Sequence, residues 1–72
     1  MKATIKEINN WLAGDKVGNS KFNLNESVAI VSGEHEGKTG SVISLETKEE
    51  NPSYIVELDT GQDIYVKQSE IE

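Results

Sequence analysis

The chain has no cysteine and no arginine, and only one proline, one histidine and four aromatic residues among its 72 positions. Without cysteine there is no disulfide staple, no thiolate nucleophile and no Cys-ligated zinc. Without arginine there is no bidentate reader of base edges. A single His35, set among acids with no oriented nucleophile nearby, gives a hydrolytic triad nothing to stand on and leaves few options for a metal site. No stretch approaches the length of a membrane span, and Met1–Glu7 lacks the apolar run of roughly seven to fifteen residues that a secretory signal needs. The expectation is a soluble, cytoplasmic monomer without a membrane partner. A chain this short buries only about 60% of the surface its unfolded form exposes, so it holds one modest core. Neither a cofactor nor an enzymatic cleft is expected.

What the sequence has in excess is negative charge. Seven lysines face thirteen acids for a net charge of −6, and the excess is uneven. Residues 1–24 carry four lysines against two acids, net +2, whereas residues 25–72 carry three lysines against eleven acids, net −8. The same position divides the pattern: an amino-terminal helix and loop over 1–24, then a β domain over 25–72.

Thr4-Ile5-Lys6-Glu7 fits a capping box, in which hydroxyl and carboxylate reciprocally satisfy two orphan helix amides. It predicts a helix over Ile5–Ala13, stopped by Gly14, with Ile5, Ile8 and Leu12 on one face and Trp11 at its edge. An isolated helix below roughly 12 to 15 residues is marginal in water, so this stripe must dock, either on its own domain or on a partner. Asp15–Asn23 reads as a loop, with Phe22 and Leu24 as candidate anchors.

From Glu26 the period changes to that of strands. Val28, Ile30 and Val31 mark a first strand, Thr39–Leu45 a second, Tyr54–Leu58 a third and Asp63–Lys67 a fourth, in the order of an antiparallel meander. The polar segment 47–52 is an exposed loop. If Tyr54, Val56, Leu58, Ile64 and Val66 all face inward, the third connection contains an odd number of residues, because side chains alternate. Asp59-Thr60-Gly61 meets this with Gly61 in a left-handed bulge, pairing Val56 with Ile64 and Tyr54 with Val66. That turn also explains Asp59–Asp63 better than a calcium loop does. Gln68–Ile71 is a short helical turn or a last strand that buries Ile71.

Residues 26–42, ESVAIVSGEHEGKTGSV, resemble the KOW motif of ribosomal large-subunit proteins and NusG-type transcription elongation factors. The matching elements are Val28 and Ile30 on the first strand, Gly33, Gly37 and Gly40, Lys38 after the second glycine, and Val42 on the second strand. Together with the following segment this implies a mainly β fold: an SH3-like, KOW-type small barrel of five strands, here preceded by a short α-helix. It further implies a non-enzymatic binder of RNA or protein. In ribosomal relatives the loop is lysine-rich; here it carries Glu34, His35 and Glu36, with Lys38 the only base retained. Phosphate is repelled there.

The reading that results is an acidic protein-binding module for a basic partner surface. Glu34, Glu36, Glu57, Asp59 and Asp63 would supply attraction, and Tyr65 with Ile55, on the outer face, contact area. The amino-terminal helix either leaves that patch open or covers it with Trp11. Two alternatives stand beside it: a KOW-type RNA- or ribosome-associated protein touching phosphate through Lys38 and the amino-terminal lysines, and an inhibitor or immunity-type protein that neutralises a basic enzyme. His35 reads as a solvated loop residue.

Overall fold

A computed structural model describes residues 2–72. Helix α1 spans Ile5–Leu12, strand β1 Ser27–Ala29, β2 Thr39–Thr47, β3 Ser53–Leu58 and β4 Asp63–Lys67, followed by a 3-10 turn over Gln68–Glu70. The protein is mainly β: one four-stranded antiparallel sheet in the order β1-β2-β3-β4, with one short helix.

The β3–β4 hairpin has the register that alternation requires. Tyr54 faces Val66 and Val56 faces Ile64. The Leu58 amide donates to the Gln62 carbonyl (2.8 Å), and Gly61, at φ +91°, donates back to Leu58 (2.8 Å). β2 is longer than the sequence pattern indicates, running to Thr47, and is broken by irregularities between Val42 and Ser44 and between Leu45 and Thr47. The extra residues bend the strand and put Val42 and Leu45, three apart, on the same buried side. At Gly40 a Cβ would lie 2.9 Å from the Leu58 Cα and closer still to the Glu57 carbonyl, so β2 and β3 approach each other there only because the side chain is a hydrogen.

The first strand is shorter than expected and ends at Ala29. Ile30 is taken into a tight loop instead, its amide donating to Lys38 (2.8 Å) and its carbonyl accepting from Gly37 (2.9 Å), and Val31 is exposed. Among the described residues a fifth strand is likewise absent as a regular element. The chain first turns through Gln68–Glu70, and what remains is an isolated antiparallel bridge between Ile71 and Ile30. Hydrogen bonds flank it in both directions between Ala29 and Glu72 (2.8 and 3.0 Å), and one runs from Val31 to the Glu70 carbonyl (2.8 Å). Ile71 is buried, as the pattern requires.

The capping box of α1 forms in both directions, Glu7 N–H to the Thr4 hydroxyl (3.2 Å) and Thr4 N–H to the Glu7 carboxylate (2.9 Å). The docked face, however, is rotated from the Ile5–Ile8–Leu12 stripe, of which only Ile8 is half-buried. Ile5 is 80% exposed and Leu12 45%, while Trp11 is fully buried. At 100° per residue, Trp11 and Glu7 lie together on a face rotated away from Ile5 and Leu12. The rotation is fixed by what precedes and flanks the helix. Lys2 bridges to Thr47, Ala3 N–H donates to the Glu46 carbonyl (3.2 Å), and Glu7 pairs with Lys48 (2.7 Å). The Lys48 ammonium, with help from the Thr4 amide, lowers the Glu7 carboxyl from 4.5 to about 2.

One hydrophobic cluster joins Trp11 and Val17 to Val28, Val42, Leu45, Tyr54, Val56, Val66 and Ile71. Trp11 tilts against Tyr54 with centroids 6.5 Å apart and donates its Nε1–H to the Phe22 carbonyl (2.7 Å). Phe22 meets Tyr54 edge-on at 5.8 Å. Of the two expected loop anchors, Phe22 packs on the core, and Leu24 does not, being exposed; Val17 takes its place. The Tyr54 hydroxyl donates to the Gln68 carboxamide oxygen (2.5 Å) and accepts from the Lys21 amide (3.2 Å); burial raises its ionisation above the ordinary 10.0. Among the described residues, no helix is long and apolar enough to cross a membrane.

Candidate functional site

The strand register gathers most of the sequence-derived candidates on one side of the β3–β4 hairpin. Ile55 lies directly opposite Tyr65, and Glu57 directly opposite Asp63. With odd parity on both strands, all four project from the face that turns away from Tyr54, Val56, Ile64 and Val66. Tyr65 is 55% exposed, Ile55 half-buried, and both acids exposed. Trp11 does not cover this patch, because it is spent against Tyr54 on the buried side of the sheet.

Beside the patch a cleft of about 360 Å³ runs between β4 and the loop after β1. Its walls include Ile30, Ser32, Glu34 and His35 on one side and Tyr65 and Glu70 on the other. Glu34 is thus brought to the edge of the Tyr65 patch, whereas Glu36 is exposed and does not line the cleft. Asp59 is separate. Its carboxylate accepts from the Thr39 hydroxyl and borders a second hollow formed by β1 and the start of β2. Lys38 is exposed, its amide donating to the His35 carbonyl (3.1 Å).

Gly33 and Gly37 both adopt positive φ, +93° and +94°, and give the loop its sharp turns. Gly33 is needed for space as well, since a Cβ there would meet the Glu70 carboxylate at 2.8 Å. Glu70 in turn is held by its other oxygen, which accepts from the Lys67 amide (2.8 Å). The loop therefore seats on the 3-10 turn, and Glu70 joins the acids of the cleft. His35 departs from the solvated role expected of it. Only 21% of its side chain is exposed, Nδ1 is buried without a hydrogen-bond partner, and Nε2 lies 4.0 Å from the Glu34 carboxylate. Sequence reasoning missed Glu70 because it is brought in by the return of the chain to β1, and Ser32 because no local pattern distinguishes it from the rest of its loop. The small residue at Gly33 was the one local trace of that contact.

Electrostatically the site is predominantly acidic, with Lys67, on the same face of β4 as Asp63 and Tyr65, its one neighbouring cation on that strand. Among the described residues, the lysine–carboxylate pair that forms is Lys48–Glu7, on the far side of β2, and no lysine pairs with Glu34, Glu57, Asp63 or Glu70. No group of three or more His, Asp or Glu side chains among the described residues converges as a metal-ligand set. No family model, curated protein or solved structure matches the chain.

Proposed function

We propose that the chain is a small SH3-like barrel of KOW type acting as a non-enzymatic protein-binding module, docking to a partner with a basic surface. The return of residues 70–72 to the outer edge of β1 supports the barrel, because it lays a fifth extended segment beside the first. One observation carries the binding reading: Tyr65 and Ile55 stand side by side at the surface, bordered by Glu34, Glu57, Asp63 and Glu70 against the single cation Lys67, and no lysine forms an ion pair with any of the four acids. Exposed aromatic area supplies contact, and uncompensated charge of one sign supplies attraction and orientation. The same acids disfavour phosphate, and a field of this sign works against counterion-release binding.

The test is affinity capture with the wild-type chain and with a Glu34→Lys, Asp63→Lys double variant that melts at the same temperature. The reading expects captured proteins that share basic surfaces and are lost with the double variant and with added salt. Undiminished capture by the variant would refute it, and steeply salt-dependent binding of labelled RNA would transfer the chain to the nucleic-acid class.

A further inference from the structure

We infer that the free edge of β4 takes an extended, lysine- or arginine-bearing protein segment as an added strand lying in the cleft against the loop after β1. This rests on the basic-partner reading above and specifies how the partner is held.

The backbone makes the first part of the case. In an antiparallel pair, residues exchanging both hydrogen bonds alternate with residues that exchange none. Leu58 bonds Gln62 across the hairpin and Gln68 bonds Pro52 at its other end (2.8 and 2.7 Å), which assigns Val56–Ile64 and Tyr54–Val66 to the bonded class. The amides and carbonyls of Asp63 and Tyr65 therefore point away from β3. β4 is the last strand of the sheet, and no described residue takes these groups up. The other end of the sheet differs, because residues 70–72 cover the outer edge of β1.

The cleft lies along that same free edge. Ile64, Tyr65 and Val66 all line it, and three consecutive residues of one strand line a single hollow only where it faces the strand's edge, since side chains alternate between faces. An added strand bonded to Tyr65 would set alternate side chains beside the Tyr65 ring and Asp63. The intervening ones would enter the cleft toward Ile30, Glu34 and Glu70. The volume suits a few side chains. Charge selects the occupant: the carboxylates at the cleft and at the start of β4 have no lysine partner, so a segment whose alternate residues are basic completes them.

The experiment uses three blocked heptapeptides titrated into the ¹⁵N-labelled chain: alternating Lys and Val, the same sequence with every backbone amide N-methylated, and a version with Glu in place of Lys. The expected result is binding of the first, hydrogen-exchange protection gained at the Tyr65 and Asp63 amides, and affinity lower by about tenfold or more for the methylated peptide, which keeps its charge and loses its donors. Equal affinity of the methylated and unmethylated peptides would overturn strand addition and leave docking to basic surfaces intact. Binding of the Glu peptide as tight as that of the Lys peptide, or no binding of any of the three, would overturn both. All arms use the wild-type chain, so no outcome depends on a variant that fails to fold.

Discussion

Replacing Trp11 with alanine removes the one helix residue that is fully buried, and the structure sets its cost. Three losses combine: the transfer and cavity cost of a large aromatic side chain, the tilted contact with Tyr54, and the donor to the Phe22 carbonyl. Aromatic-to-alanine changes in cores cost about 3–5 kcal/mol. A domain of this length is stable by about 4–11 kcal/mol in total, so the loss ranges from about a quarter of that stability to all of it. At about 4–8 °C per kcal/mol the melting point falls by tens of degrees. Trp11→Phe, which keeps most of the packing but orphans the Phe22 carbonyl, should cost about 1–3 kcal/mol. Ile5→Ala and Leu12→Ala remove more conspicuous apolar residues, yet both project into solvent and should change stability by no more than about 0.5 kcal/mol. Urea unfolding followed by far-UV circular dichroism measures all four on one scale, without relying on the fluorophore being removed. If Ile5→Ala or Leu12→Ala cost as much as Trp11→Ala, or Trp11→Ala cost less than about 1 kcal/mol, the docking of α1 through Trp11 is refuted.

Gly40→Ala should destabilise by about 1–3 kcal/mol, because the Glu57 carbonyl and Leu58 Cα that obstruct it, beside the Val56 side chain, are backbone of β3 and cannot rotate away; a melting curve indistinguishable from wild type would contradict the close approach. The lowered carboxyl of Glu7 stabilises the fold above its unfolded value of 4.5, and that contribution is lost as the pH falls toward about 2. Lys48→Met or Glu7→Gln should therefore flatten the acid limb of stability against pH between those values, which a series of melts would detect. Tyr54→Phe deletes the phenol bonded to Gln68 and Lys21 and should cost about 1–2 kcal/mol near neutral pH. As the phenol is raised by burial, wild type also loses stability as the pH climbs above 10.0, a limb that the variant should lack; spectrophotometric titration alongside unfolding curves checks both.

Local signals carried much of the fold. The capping box, the three-residue hairpin connection and the register across it are each decided within a few residues by hydrogen-bond geometry and side-chain alternation, and they stand as the sequence implies. The face on which the helix docks was not legible in this way. Ile5, Ile8 and Leu12 make a coherent stripe, but rotation about the helix axis is set by the Lys2–Thr47 bridge and the Glu7–Lys48 pair, contacts that span some forty positions and leave no periodic trace. β2 shows the same limit, since period-two reading places Val42 and Ser44 together whereas its irregularities place Val42 with Leu45. For the candidate site, the Ile55–Tyr65 and Glu57–Asp63 pairs follow from the hairpin register. The assignment of Glu70 and His35 to the cleft depends on the chain returning to β1, which no neighbouring residue announces.

That return also orders the assembly of the fold in time. The β3–β4 hairpin closes over three residues, whereas joining Ile71 to Ile30 closes a loop of about forty and waits on a larger entropic cost. Without it, β1 exposes the very edge that residues 70–72 occupy, leaving the sheet two open edges where the folded domain has one. Shortening the chain by its last three residues would hold the protein in the two-edged condition. Intermolecular strand pairing, rather than simple loss of stability, is then the expected fault.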